Sequence, residues 1–189
     1  MKITSLEIPD VKLIEVNLFE DNRGFFLESY SRRNFEQAGI ECDFVQDNHS
    51  SSKEAGVIRG LHFQFPPHAQ AKLIRVTNGI IWDVAVDLRR TSPTYSQYVS
   101  AELSAQTPKM LFVPAGFAHG FMTLTPDCEI QYKTDAYYMP KHEGGIRWDD
   151  PDINCKWPLL SEGRKQYENN YILSKKDYNG ETIANCFKN

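Results

Sequence analysis

The sequence predicts an all-β protein, a closed antiparallel barrel or jelly roll with a few short peripheral helices. Two observations carry that prediction. Aromatic residues reach 12% of the 189-residue chain, with 11 Phe, 9 Tyr and 3 Trp, and such side chains favour pleated surfaces and flat-walled pockets. Short runs that alternate apolar with polar residues recur between turn residues, while helical patterns are scarce. The chain shows no repeat, low-complexity tract or Gly/Ser linker, so one domain over residues 1–189 is expected.

The expected elements follow in chain order. Val11–Phe19 and Gly24–Tyr30 read as strands. Ser31 can N-cap a short helix over Arg32 to Ala38, with Gly39 as its stop. Phe44–Gln46, Val57–Phe63 and Lys72–Thr77 are the next strands. Thr77-Asn78-Gly79 then predicts a type I′ hairpin into Ile80–Leu88, because Asn-Gly accepts positive φ. Tyr98–Leu103, Met110–Val113, Gly120–Thr125 and Glu129–Thr134 complete the strands, and a second short helix is expected within Ser161–Asn169.

Strand parity sorts the side chains. Ile80, Trp82, Val84, Val86 and Leu88 share one face, and Ile81, Asp83, Ala85 and Asp87 the other. Tyr132 shares its face with Ile130 and Cys128 and should point inward. Arg59 and His62 have opposite parity, so both reach one pocket only if the strand bulges or ends near Gly60.

Charge and cysteine usage exclude several function classes. Lys and Arg number 21 against 25 Asp and Glu, a net charge of −4, which lacks the broad basic field of a nucleic-acid binder. No apolar signal core and no run of about 18 apolar residues is visible, so neither secretion nor a membrane span is expected. Cys42, Cys128, Cys155 and Cys186 are scattered and form no C-x-x-C pair. Reduced thiols in a cytoplasm are expected.

The chemistry-bearing residues concentrate in two segments. Gly56 to Gln64 reads G-V-I-R-G-L-H-F-Q, and Pro114 to Gly120 reads P-A-G-F-A-H-G. The second matches the cupin pattern P-x-G-x-x-H. The first half of that pattern wants H-x-H, then Glu, six residues and Gly. Here only His62 is present, and Lys72, separated from Gly79 by six residues, stands where the metal-binding Glu would be. A cation repels a divalent metal, so no metal site is expected. His62 as base, Lys72 as oxyanion stabiliser and an inward Tyr132 suit proton abstraction beside a carbonyl. No nucleophile elbow G-x-S-x-G and no dinucleotide fingerprint G-x-G-x-x-G occurs.

At this level of detail the chain resembles the dTDP-4-dehydrorhamnose 3,5-epimerases, metal-free cupin enzymes of dTDP-L-rhamnose synthesis. The similarity is collinear over nearly the whole chain. It includes Asp21-Asn22-Arg23-Gly24-Phe25-Phe26 with Glu28, Gln46-Asp47-Asn48, Arg59-Gly60-Leu61-His62 and Ala69-Gln70-Ala71-Lys72-Leu73. It continues with Pro114 to Phe121, Tyr132-Lys133, Tyr137-Tyr138, His142 to Pro151 and Leu173-Ser174-Lys175-Lys176-Asp177.

The resemblance implies epimerisation at C3 and C5 of dTDP-4-dehydro-6-deoxy-D-glucose, feeding polysaccharide biosynthesis, with no cofactor and with a homodimer as the assembly. By that similarity His62 is the base, Asp177 its orienting carboxylate, Tyr132 the acid and Lys72 the partner of the C4 oxygen. Substrate-binding positions would be Arg23, Phe26, Glu28, Gln46, Asn48, Arg59, Lys72, His119, Tyr138, Glu143 and Lys176. Phe63 and Ala71 depart from the family's common Tyr and Gly. The tail from Tyr178 to Asn189 matches no motif. His119 could equally hydrogen-bond within the barrel, and Tyr132 could be core. Two alternatives stay open at the level of sequence: a mono-epimerase or ketoisomerase on a related 4-keto sugar nucleotide, and a non-catalytic sugar-nucleotide binding module.

Overall fold

The protein is described by a computed structural model over residues 1–160 and 171–188, so the helix expected within Ser161–Asn169 lies outside the described residues. The elements in order are β1 (Lys2–Ser5), β2 (Lys12–Glu15), β3 (Leu18–Asp21), β4 (Gly24–Leu27), α1 (Arg32–Gln37), β5 (Gln46–Ser52) and β6 (Ile58–Gln64). They continue with β7 (Lys72–Asn78), β8 (Ile80–Asp87), β9 (Tyr98–Ser104), β10 (Lys109–Val113), β11 (Phe117–Thr123) and β12 (Cys128–Thr134). A 3-10 turn (Pro140–His142), β13 (Glu143–Gly145), α2 (Lys175–Tyr178) and α3 (Ile183–Cys186) follow.

The strands form two antiparallel sheets, β1-β2-β10-β7-β12-β5 and β13-β6-β11-β8-β9, which face each other as a jelly roll. β3 and β4 form a separate two-stranded hairpin. Between the sheets lies a core that includes Ile74, Val76, Leu111 and Ile130 from one side and Ile81, Ala85, Val99, Leu103 and Phe121 from the other. Alternating strands bury one face here, as sandwich packing requires.

Both outer faces are covered as well. α1 and its flanks bury Phe35 and Ile40 against Ile14, Leu73, Met110 and Phe112 on the six-stranded sheet. The C-terminal segment buries Ile146, Ile153, Trp157 and Ile183 against Ile58, Val84, Val86, Ala118 and Met122 on the five-stranded sheet. That cover explains why β11 is buried at every residue. It also identifies the two faces of β8: the more apolar one points outward under the C-terminal segment, and the one carrying Asp83 points into the barrel.

Several expected boundaries move. Val11–Phe19 breaks into β2 and β3, β5 starts at Gln46 instead of Phe44, and β1, β13, α2 and α3 were not foreseen. Ser31 sits at the N-cap of α1 but makes no side-chain capping bond. The Asn78-Gly79 turn is no hairpin, since β7 and β8 lie in different sheets. Only Gly79 takes positive φ, +81°, whereas a type I′ turn needs both central residues there. Asn78 Nδ2 instead donates to the Asp127 carbonyl at 2.6 Å, and the turn carries the chain from one sheet to the other.

The bulge expected near Gly60 is present. His119 pairs with His62, but Phe121 pairs with Arg59, so β6 carries one residue more than β11 across this interval. Gly60 has φ +127°, and a Cβ there would meet Gly120 Cα at 2.5 Å. Two glycines therefore let the strands touch where the register shifts. No helix among the described residues is long and apolar enough to cross a membrane.

Candidate active site

A cavity of about 310 Å³ opens where β6, β7, β12 and β13 converge. His62 and Phe63 from β6, Lys72 from β7, Tyr132 from β12 and Glu143 from β13 line it, together with Gln46 and Asn48 from β5 and Tyr138. The extra residue in β6 sets the direction of His62. Arg59, on the other side of the bulge, is exposed and bonds to β5, through Ser52 Oγ at 3.2 Å and the Ser51 carbonyl at 3.0 Å.

His62 Nε2 lies 2.6 Å from Asp177 Oδ1. Asp177 is 7% exposed. Burial alone would raise its carboxyl, but hydrogen bonds from His62 and Ser174 outweigh that and hold it below the ordinary carboxylate range. The chain brings Asp177 here through an isolated parallel bridge between Val57 and Ile172, with Ile58 N–H donating to the Ile172 carbonyl at 2.9 Å. From Ile172 the segment runs alongside the start of β6 and into α2.

Lys72 is 8% exposed, and its Nζ donates to the His62 carbonyl at 3.2 Å. Burial pulls the ammonium down to about 8, against the opposing attraction of Asp83 and Glu143. Tyr132 is inward, as parity requires, and packs beside the inter-sheet core. Burial raises its phenol, with Glu143 adding to the rise and Arg59 opposing it. The Tyr132 phenol is therefore protonated at physiological pH.

The cavity mouth is a hydrogen-bonded frame. Glu143 accepts from Lys176 Nζ at 2.5 Å and from the Tyr138 hydroxyl at 3.0 Å. These two bonds outweigh the effect of burial and keep the Glu143 carboxyl below its ordinary value. Gln46 donates to Asn48 Oδ1 at 2.9 Å and accepts the Tyr138 N–H at 3.1 Å. Gln64 and Gln70, not singled out in the sequence, hold the same loop. Gln64 accepts the Met139 N–H at 2.6 Å and donates to the Tyr137 carbonyl at 3.2 Å, while Gln70 donates to the Ala136 carbonyl at 2.6 Å. Their signal was position, since Gln64 directly follows R-G-L-H-F on a strand and is buried.

His119 does not line the cavity. It is buried, with Nε2 2.8 Å from Asp83 Oδ1, so in this chain it makes the bond within the barrel. Asp83 and Asp87 do not form a carboxylate pair, because Asp87 is taken up by Arg89, Ser92 and Thr94. Arg23, Phe26 and Glu28 also lie outside the cavity wall. The Arg23 side chain is 85% exposed and paired with Asp21, Phe26 is 68% exposed, and Glu28 accepts from Asn34. The cause is topological: β3 and β4 form a hairpin hydrogen-bonded to neither large sheet.

Comparison with known proteins agrees with this architecture. The family model described as dTDP-4-dehydrorhamnose 3,5-epimerase matches residues 5–185. The dTDP-4-dehydrorhamnose 3,5-epimerase of Pseudomonas aeruginosa is 49% identical over 190 residues, covering 99% of each chain. The crystal structure of the Bacillus anthracis epimerase with TDP and PPi bound is 47% identical, covers 96% of this chain and 98% of its own, and superposes with a TM-score of 0.88. The Legionella pneumophila enzyme in complex with dTDP-4-keto-L-rhamnose is 39% identical, covers 97% of this chain and 93% of its own, and has a TM-score of 0.88. With sequence, fold and family model in agreement over almost its full length, the chain belongs to the dTDP-4-dehydrorhamnose 3,5-epimerase family.

Proposed function

We propose that this protein is an isomerase that converts dTDP-4-dehydro-6-deoxy-D-glucose to dTDP-4-dehydro-L-rhamnose by inverting C3 and C5. The observation that carries the reading is that His62, the Lys72 ammonium and the Tyr132 phenol line one cavity from two different sheets, with Asp177 bonded behind His62. The substrate's 4-keto group acidifies the hydrogens on both neighbouring carbons. His62 removes one of them, and the C–H electron pair moves onto the C4 oxygen as an enolate. Asp177 orients the imidazole and stabilises its charged form. The Lys72 ammonium stabilises the enolate oxygen from a site with little water.

Tyr132 then delivers a proton from the opposite face and inverts the centre. The phenolate regains its proton from solvent, and His62 releases its own, so no redox partner enters. Gln46, Asn48, Tyr138, Glu143 and Lys176 form the frame proposed to receive the nucleotide and sugar. Arg59 and His119 stand at the flank and beneath the floor, where Arg59 can reach a diphosphate once it leaves its serine partners. Because Lys72 fills the position of a metal-ligating carboxylate, the reaction proposed is metal-independent.

Arg23, Phe26 and Glu28 find their use in a homodimer. The hairpin that carries them presents Phe19, Phe25 and Phe26 to solvent, an unusual concentration of exposed aromatics. A second copy that receives this hairpin would cover those rings and bring the three residues to its own cavity. The compartment proposed is the cytoplasm, which the four free cysteines support.

Four measurements test this reading. Proton NMR in deuterated water should follow conversion of the substrate with deuterium entering at C3 and C5, unaffected by EDTA. His62→Ala should slow it by about 10²-fold to 10⁴-fold, the usual contribution of a positioned proton-transfer group. Binding without deuterium uptake by the wild type would make the protein a sugar-nucleotide binding module, and uptake at one carbon only would make it a mono-epimerase. Since burial sets the Lys72 ammonium at about 8, kcat/KM should fall as pH rises through that value. Lys72→Arg, which stays charged, should move this alkaline limb upward; an unmoved limb would assign it to another group. Light scattering at micromolar concentration should give the mass of a dimer, and a monomer would contradict the proposed assembly.

A further inference from the structure

A side chain outside the cavity is hydrogen-bonded to the carboxylate that meets His62. Both oxygens of Asp177 are engaged. Oδ1 faces His62 Nε2 at 2.6 Å and accepts the Gly60 N–H at 3.3 Å. Oδ2 accepts the Ser174 hydroxyl at 2.6 Å. The same hydroxyl oxygen accepts the Asp177 N–H at 3.1 Å, which makes Ser174 the N-cap of α2. One hydroxyl therefore does two separate things. As an acceptor it starts a helix of only four residues, and as a donor it fixes the far oxygen of a buried carboxylate.

We propose that Ser174 is a positioning residue of the epimerase, whose hydroxyl proton locks the Asp177 carboxylate so that Oδ1 is presented to His62. The inference rests on the proposed roles of His62 and Asp177. The torsion that swings a carboxylate is broad and roughly two-fold, so backbone placement alone leaves its plane free. Gly60 and His62 both act on Oδ1, whereas Ser174 holds Oδ2 and thereby sets the plane. A donor on Oδ2 also draws charge away from the oxygen that faces His62. Removing it concentrates charge on Oδ1, favours the imidazolium and moves the acid limb of the reaction to higher pH. Besides Asp177, the ionisable groups facing His62 are Lys72, Tyr132, Tyr138 and Glu143, which line the same cavity, Lys176, which bonds to Glu143, and His119, which pairs with His62 from β11. Among the described residues Ser174 bonds to none of them, so its effect passes through Asp177.

Three substitutions separate the donor from the cap. Ser174→Thr keeps both functions. Ser174→Ala removes donor and cap together, and Ser174→Gly costs a cap only a few tenths of a kcal/mol, so a loss shared by both comes from the missing hydroxyl donor. The expected result is near wild-type kcat for Ser174→Thr. Ser174→Ala and Ser174→Gly should lose about tenfold to a hundredfold in kcat, a share of the effect of the base itself, with KM within about twofold. Their acid limb in kcat/KM should move up by about half a pH unit or more. If one of the two fails to fold, the other carries the comparison. Wild-type kcat and acid limb in either folded variant would reduce Ser174 to a helix cap and overturn the proposal. NMR titration of the His62 ring in Ser174→Gly against wild type needs no turnover. An upward shift supports the proposal even if the substrate assignment fails, and an unchanged titration contradicts it.

Discussion

The contact between His62 and Asp177 spans 115 residues of chain and is the constraint around which this site is built. A buried carboxylate is costly unless it is hydrogen-bonded, and Asp177 meets that condition with His62, Ser174 and the Gly60 backbone. It can do so only because the C-terminal segment is held against the five-stranded sheet. Ile153, Trp157 and Ile183 bury apolar surface there. Asp150, itself buried, binds the tail by accepting the Ile183 N–H at 2.8 Å while its other oxygen accepts from Asp152 and Ile153. The apolar outer face of the sheet thus recruits the segment that completes the His62–Asp177 pair.

A second tension lies at the cavity floor. The barrel excludes water from Lys72, which weakens its hold on a proton, while Asp83 and Glu143 strengthen it. The balance leaves an ammonium in a site of low dielectric constant, where, in the reaction proposed, it would act on a developing oxyanion more strongly than in water. Asp83 is itself fixed by His119, and Glu143 by Lys176 and Tyr138, so the groups around the lysine are pre-oriented before any ligand arrives. The β6 bulge completes the arrangement by turning His62 toward this floor at the point where Gly60 and Gly120 touch.

Much of this was legible in the sequence because it depends on local rules. Alternation revealed most strands, parity turned Tyr132 inward, and the mismatch between Arg59 and His62 demanded a bulge at Gly60. Motif similarity selected His62, Lys72 and Asp177, which the fold brings together from a β-strand of one sheet, a strand of the other and the C-terminal helix α2. The misses are non-local. Asn78-Gly79 looked like a hairpin because local turn chemistry cannot reveal that the next strand joins the opposite sheet. Parity separates the two faces of β8, but which of them is covered from outside depends on the C-terminal segment, some 70 positions later in the chain. The short elements β13, α2 and α3 have too few residues for any period to register, and they are held by tertiary bonds such as the pairing of Gly145 with His62. Arg23, Phe26 and Glu28 match the family by sequence, yet a single chain leaves them away from the cavity.

The reaction proposed divides its labour across the sugar ring, with His62 removing the proton on one face and Tyr132 supplying it on the other. Tyr132→Phe removes a single oxygen and leaves the ring in the barrel wall, so the most direct measurement is proton NMR of that variant with the substrate in deuterated water. Hydrogen beside the keto group should still exchange for deuterium, returned from the His62 side, while little inverted product forms. Inversion at the wild-type rate would contradict this division of labour.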